Sequence, residues 1–266
     1  MSPQARRLVG RRAFVTGGGS GIGRAAALRL AEEGAAVAVC DKREANAREV
    51  ADAIEKSGSR ALAVAADVGD ETQLAGAVGE AVAALGGLDS VFANAGTAGA
   101  GWIHETALAD WEAVLRVNLT GVFLTAKHTL PHLMEAGGGA VVTTGSIASF
   151  VVGPAGSAAS YAASKGGVLQ LTKQIAVDYG AHGIRANCLC PGGVKTDLVR
   201  NAAEDNASHS TPIPEGGRLP RSGFRTALSR ISEPAEQAAV VAFLLSDDAS
   251  FITGTAVLAD GGLTAI

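Results

Sequence analysis

Tyr161 and Lys165 lie four residues apart in Tyr161-Ala162-Ala163-Ser164-Lys165, at the start of a stretch with helical character. At that spacing the phenol and the ammonium leave one helix face together. A free tyrosine titrates near about 10, too high for a base at neutral pH, and a nearby cation favours the phenolate. Lowering that value by about two to three units takes roughly 3–4 kcal/mol, within reach of one close, partly buried cation. Such a phenol gives a proton to a carbonyl oxygen as hydride arrives, or takes one from an alcohol. At helical spacing alone the pair is ordinary surface decoration, so its meaning depends on its setting.

A second stretch, Thr16-Gly17-Gly18-Gly19-Ser20-Gly21-Ile22-Gly23, follows a short apolar strand and opens a helix. Glycines there allow a sharp turn, close approach of backbone N–H groups to a pyrophosphate, and tight helix–strand packing. The exposed N–H groups and the helix dipole favour the phosphates. Asp41 ends the second strand, 20 residues after Gly21. A carboxylate there accepts hydrogen bonds from ribose hydroxyls and repels a 2′-phosphate, which selects NAD over NADP. Ser20 brings no positive charge to hold such a phosphate, although Lys42 and Arg43 follow closely. Asp67, with Val68 beside it at the end of the third strand, is placed to meet the adenine edge. Either aspartate could instead cap a helix.

The elements that must position these groups alternate. Strands are expected at 13–15, 35–40, 61–66, 88–93, 140–144, 184–189 and 256–258. Helices are expected at 22–33, 43–57, 71–85, 109–134, 159–179 and 234–245. Strands apolar on both faces, alternating with helices, predict an α/β fold with a doubly wound parallel sheet and helices on both faces. The segment 197–232, which contains Pro212, Pro214 and Pro220, is too long for an ordinary connection. It follows the carboxyl end of a strand and is expected to be a substrate lid or a disordered loop.

Composition sets the outer bounds. The 266 residues are 47% apolar and 18% charged, which suits one large core, and 35 glycines suit tight turns. A net charge of −4 gives no push toward nucleic acid or an anionic membrane. Arg6, Arg7, Arg11 and Arg12 read as a solvated edge. Cys40, Cys188 and Cys190 form an odd, sparse set that argues for a reducing compartment. Cys188 and Cys190 share one strand face and are expected in the core, without further ligands at metal spacing. Neither a signal peptide nor a transmembrane run is evident, so the expected location is cytoplasmic.

With these motifs in order, the chain resembles the short-chain dehydrogenase/reductase family from about residue 11 to 262. The glycine loop matches that family's cofactor loop, with Gly17, Ser20, Gly21, Ile22 and Gly23 facing the dinucleotide. Phe92-Ala93-Asn94-Ala95-Gly96 resembles the Asn-Ala-Gly motif that supports the central sheet, and Asn94, Ala95 and Gly96 are expected beside the cofactor. Asn118, in Val117-Asn118-Leu119, matches the helix asparagine that holds a water beside the lysine. Gly145-Ser146-Ile147 resembles the catalytic serine segment, and Tyr161 to Lys165 the family signature. Cys190-Pro191-Gly192-Gly193-Val194-Lys195-Thr196 resembles the segment lining the nicotinamide, which places Pro191, Gly192, Val194 and Thr196 there. Asp260-Gly261-Gly262 matches the common carboxyl-terminal ending.

The resemblance implies a single Rossmann domain over 1–266 and hydride transfer between NAD(H) and a secondary alcohol or ketone. Tyr161 would be the general acid/base, Lys165 would lower its pKa and bind the nicotinamide ribose, Ser146 would hold the substrate oxygen, and Asn118 would anchor the proton relay. Homodimers or homotetramers built on paired helices are implied too. An NADPH-dependent reductase of carrier- or CoA-linked 3-ketoacyl chains is an alternative of the same class. A non-catalytic dinucleotide sensor is one of another class, against which the intact Asn118, Ser146, Tyr161 and Lys165 argue. Ser146 stands 15 residues before Tyr161, about two more than the family usually shows. An insertion within 150–159 accounts for this, and Ser149 is the rival serine. Trp102, Ile103 and His104 could touch substrate. His128 and His132, four apart on a helix, lack an evident carboxylate or third ligand.

Overall fold

A computed structural model describes residues 6–99, 101–152, 159–205 and 226–265. Its described strands are Arg12–Thr16 (β1), Ala36–Asp41 (β2), Ala61–Ala65 (β3), Ser90–Ala93 (β4), Gly139–Thr144 (β5), Ile184–Pro191 (β6) and Ala256–Ala259 (β7). They form one sheet in the order β3-β2-β1-β4-β5-β6-β7, and every pairing is parallel. The order reverses between β1 and β4, so the crevice above their carboxyl ends is where such a sheet takes a ligand.

The helices are Gly21–Glu32 (α1), Glu44–Lys56 (α2), Glu71–Leu85 (α3), Leu108–Leu115 (α4), Gly121–Glu135 (α5), Ala159–Tyr179 (α6), Leu198–Asp205 (α7) and Pro234–Leu245 (α8). Alternate residues of β1 serve opposite faces. Ala13 and Val15 pack with Leu30 of α1, Val50 of α2 and Val241 of α8. Phe14 packs on the other side with Leu74 of α3, Leu130 of α5 and Ile175 of α6. A strand buried on both faces is apolar throughout, and this is why no alternation marked it in the sequence.

Three local expectations change. The helix expected over 109–134 is α4 and α5 joined by a π-helical turn, Arg116–Thr120, with buried Asn118 at its centre. Neither Asp41 nor Asp67 is a helix cap. Arg43 starts α2, and Asp70 caps α3 by accepting from the Gln73 N–H at 3.0 Å. The amino-terminal arginines are not merely a solvated edge. Arg7 grips Glu33 through two bonds of 2.7 Å, Arg12 holds Asp89, and Arg11 pairs with Asp247. Cys188 and Cys190 are fully buried, as expected. No helix among the described residues is long and apolar enough to cross a membrane.

Candidate active site

A cleft of about 900 Å³ opens above the carboxyl ends of the central strands. It gathers Gly17, Ser20, Gly21, Ile22, Asp41, Asp67, Val68, Asn94, Ala95, Gly96, Ser146, Tyr161, Lys165, Pro191, Gly192, Val194 and Thr196 along its walls. Of the residues singled out in the sequence, Gly23 and Asn118 stand behind the wall and shape it.

At one end the chain leaves β1 through Gly17, whose φ of +61° a side chain would disfavour. Gly23 must lack a side chain because a Cβ would sit 2.0 Å from the Gly17 carbonyl oxygen. Ser20 starts α1 without using its side chain as a cap, and the first turn carries no acid. The N–H groups and positive dipole end of α1 therefore face the cleft, a cradle that fits a pyrophosphate. Asp41 is fixed beyond it: Oδ2 accepts from the Gly19 N–H and Oδ1 from the Arg43 N–H, each at 3.0 Å. Asp67 Oδ1 accepts from the Gly69 N–H at 2.8 Å, and its Oδ2 pairs with Arg116 at 3.0 Å. This polar, glycine-built half of the cleft fits a dinucleotide.

Asn94 ties the central strands together. Its backbone N–H donates to Thr16 Oγ1 at 3.0 Å, its Nδ2 donates to the Thr16 carbonyl at 3.2 Å, and its Oδ1 accepts from Thr144 Oγ1 at 3.1 Å. The support for the central sheet expected of this asparagine is thus a link among β1, β4 and β5.

The chemistry-bearing groups meet at the other end. Ser146 follows β5 directly, in extended conformation, its hydroxyl accepts from the Ala148 N–H at 3.1 Å, and it lines the cleft together with Tyr161. Lys165 is 3% exposed. Its Nζ donates to the Thr144 carbonyl at 2.7 Å and lies 5.6 Å from the centre of the Tyr161 ring. Burial lowers the Lys165 pKa to about 8. The enclosed surroundings raise Tyr161 above its ordinary value, the nearby Ser146 hydroxyl pulls it down, and burial is the larger influence.

Asn118 is committed to the scaffold. Its Oδ1 accepts from the Thr97 N–H at 2.7 Å, and its Nδ2 donates to the Thr97 carbonyl at 3.0 Å and to Ser164 Oγ at 3.1 Å. The π turn puts it there, and such single turns recur at functional sites. Thr97 itself lines the cleft, and its Oγ1 is buried with no hydrogen-bond partner among the described residues.

Ser149 is placed elsewhere: its hydroxyl donates to the Lys165 main-chain oxygen at 2.8 Å, holding a 3-10 turn against α6. Of the expected insertion, 153–158 lie outside the described residues. So do 206–225 of the expected lid, whose beginning forms α7 and brings Leu198, Arg200 and Asn201 to the cleft. Trp102, Ile103 and His104 are exposed and away from the lining. His128 and His132 do have carboxylate partners, Glu71 and Glu135, but no group of three metal-ligating side chains occurs among the described residues. Thr144, Thr97 and Arg116 were not singled out in the sequence. Thr144 carried one usable signal, its place directly before Gly145-Ser146.

The site has close counterparts. A family model described as enoyl-(acyl carrier protein) reductase matches residues 17–264. The chain is 43% identical over 255 residues to a cis-4-hydroxycyclohexanecarboxylate dehydrogenase of Sinomonas cyclohexanicum, covering 96% of each chain. It is 38% identical over 253 residues to a cyclohexanol dehydrogenase of Acinetobacter sp. (strain SE19), covering 95% of this chain and 94% of that one. A crystal structure of a short-chain type dehydrogenase/reductase from Mycobacterium marinum superposes with a TM-score of 0.88 at 32% identity, covering 98% of both chains. A parallel sheet with its glycine crevice, a Ser–Tyr–Lys cluster at one end and full-length relatives that oxidise alcohols converge on one conclusion: this chain belongs to the short-chain dehydrogenase/reductase family and is an oxidoreductase of the alcohol/ketone type.

Proposed function

We propose that the protein transfers hydride between NAD(H) and a cyclic secondary alcohol or its ketone. The observation that carries this reading is that Ser146, Tyr161 and Lys165 line one cleft together with the glycine loop and Asp41. Ser146 holds the substrate oxygen, and Tyr161 delivers a proton to it or removes one. Lys165, held by Thr144, faces the ribose that carries the nicotinamide, and Asn118 keeps the Thr97 wall and Ser164 in register. The nicotinamide supplies or accepts the hydride and, when oxidised, brings a positive charge near the phenol. Gly17 to Gly23 cradle the pyrophosphate, Asp67 and Val68 flank the adenine, and Asn94 to Gly96 with Pro191, Gly192, Val194 and Thr196 enclose the rest.

Asp41 favours NAD, because its two oxygens are already aimed by backbone N–H groups and a 2′-phosphate would meet their charge. The cyclic substrate follows the names of the relatives, which include a cyclohexanol and a hydroxycyclohexanecarboxylate dehydrogenase. Exposed Phe123 on α5 and Val177 on α6 support a helix-paired homodimer or homotetramer. The whole chain acts as one domain, and the cysteines left free are in keeping with a cytoplasmic enzyme.

The test is steady-state kinetics with cyclohexanol and cyclohexanone, using each nicotinamide cofactor in turn. NAD-dependent turnover of the alcohol is expected. Preference for NADPH by tenfold or more overturns the cofactor assignment. Turnover of 3-ketoacyl thioesters with none of the cyclic pair overturns the substrate class.

A further inference from the structure

Cys188 and Cys190 project from the same face of β6, because side chains two apart share one side of a pleated strand. Their sulfurs are 3.7 Å apart, in direct contact, and both residues are fully buried. The group laid against them is Gly145. A Cβ at that position would come within 2.6 Å of Cys188 Sγ and 2.9 Å of Cys190 Sγ. The peptide that leads into Ser146 therefore rests on the two sulfurs. Gly145, Ser146 and Pro191 all line the cleft, so the thiols lie one backbone thickness below it. No side chain at Gly145 thickens that floor.

The two thiols share a hydrogen bond in which either can be the donor. The Lys165 ammonium favours the thiolate at both positions. One sulfur can thus give up its proton and act as the nucleophile while the other stays a thiol beside it, the arrangement that thiol oxidation needs. Cys40 is separated from this pair by three strands, and burial raises its thiol to about 12.

We propose that Cys188 and Cys190 are a peroxide-oxidisable dithiol whose bridging displaces the Gly145–Ser146 peptide and switches the enzyme off. In the first step the Cys188 thiolate attacks one oxygen of hydrogen peroxide. The O–O bond breaks, Cys188 becomes a sulfenic acid, and the departing hydroxide takes a proton and leaves as water. In the second step the Cys190 sulfur, giving up its proton, attacks the Cys188 sulfur. The S–O bond breaks, a second water leaves, and the S–S bond forms. The two sulfurs together lose two electrons, which the peroxide gains.

The consequence for Ser146 follows from strand geometry. Residues two apart on an extended strand have Cα atoms about 6.6–6.8 Å apart. That is the far edge of the roughly 4.4–6.8 Å range a disulfide spans. Bridging must shorten β6 locally, and the Gly145 peptide in contact with both sulfurs shifts with it. A bridge strained in this way is readily reduced, so the off state is reversible by a dithiol.

The test treats the full-length protein with hydrogen peroxide, alkylates remaining thiols in denaturant and digests with trypsin. Cleavage after Arg185 and Lys195 releases one peptide, 186–195, that holds both cysteines. The expected product is this peptide short of two hydrogens and free of alkyl groups. Activity falls at least tenfold in step with it, and dithiothreitol restores both. Cys190→Ala, compared with its own untreated rate, should lose the dithiothreitol-reversible phase, and Cys190→Ser serves if the alanine variant does not fold. The idea is overturned if both cysteines are recovered alkylated or carry added oxygen without a bridge. It is equally overturned if the bridged enzyme keeps its activity, or if the Cys190 variants show the same reversible loss. The activity measurement rests on the alcohol-oxidation reading, whereas the peptide measurement stands without it.

Discussion

Lys165 donates its Nζ proton to the main-chain oxygen of Thr144 at 2.7 Å, so the buried cation beside Tyr161 is anchored by the last residue of β5. The phenol shares the cleft wall with Ser146. Lys165 is thus a fixed charge beside Tyr161, and the proposed reaction assigns the proton transfer to Tyr161. Replacing Tyr161 with Phe removes the hydroxyl and keeps the ring. Activity should fall by about 10²–10⁴, the usual worth of general acid/base catalysis. NADH affinity, followed by fluorescence titration, should stay within a few-fold of wild type. Substantial turnover in this variant would contradict the assignment.

Burial of Lys165 also makes a stability prediction. Its pKa falls from 10.5 in the unfolded chain to about 8 in the fold. Between those values the unfolded state binds more protons, so this residue's contribution to stability rises with pH through that window. Below about 8 both states carry the proton, and the fold bears the cost of a buried charge, about 3 kcal/mol at most. Lys165→Met, inactive but isosteric, should unfold at higher temperature than wild type at pH 7. Its advantage should shrink by pH 10. An advantage that is constant or grows with pH rules this out.

The alternation of elements was legible because each strand is apolar and each helix is closed by a glycine or a polar stop. The glycine loop, Asp41 and the Tyr161–Lys165 spacing were legible because backbone approach and helical geometry demand those residue types. The π turn at Asn118 was not, since Arg116-Val117-Asn118-Leu119 keeps the apolar period of an uninterrupted helix. The anchor of Lys165 is a backbone carbonyl, which has no sequence signature. The partner of Asp67 is Arg116, 49 residues away, a pairing that only the fold creates. Glu33 likewise looked like an ordinary helix terminus until Arg7 and Arg29 closed around it.

In the proposed NAD reading, Asp41 is the residue that sets cofactor choice. Replacing it with Ser removes the charge that opposes a 2′-phosphate and leaves a small hydroxyl among Lys42 and Arg43. The NAD efficiency should fall about 10–100-fold, the worth of hydrogen bonds to a charged group. NADP efficiency should rise tenfold or more. Parallel kcat/KM measurements check this, and equal losses with both cofactors would show that Asp41 only braces the loop at Gly19.

Glu33 is 1% exposed and bonded to Arg7 at 2.7 Å and to Arg29 at 2.6 Å. Those bonds hold its pKa below the ordinary carboxylate value despite opposing burial. Its stabilisation is therefore present above the ordinary glutamate range and is lost as pH falls through the depressed value. Glu33→Gln should cost about 1–3 kcal/mol in urea unfolding at pH 7, with a smaller deficit under acid. An unchanged unfolding midpoint at pH 7 would remove the arginine clamp from the stabilising contacts.

Ser146 and Ser149 were equal in kind and close in sequence, and their partners separate them. Ser146 lines the cleft beside Tyr161, while Ser149 bonds the Lys165 main-chain oxygen. In the proposed mechanism Ser146→Ala removes a donor to the substrate oxygen, and such donors are worth about 10²–10³ in rate. Ser149→Ala frees one carbonyl of α6 and should cost about 1 kcal/mol of stability, with activity within a few-fold of wild type. Measuring kcat/KM and thermal unfolding for both variants gives a crossed pattern: Ser146→Ala loses rate and keeps stability, and Ser149→Ala does the reverse. If the pattern is inverted, the turn after β5 carries the substrate on its third residue, and the two extra residues before Tyr161 have moved the catalytic hydroxyl along the chain.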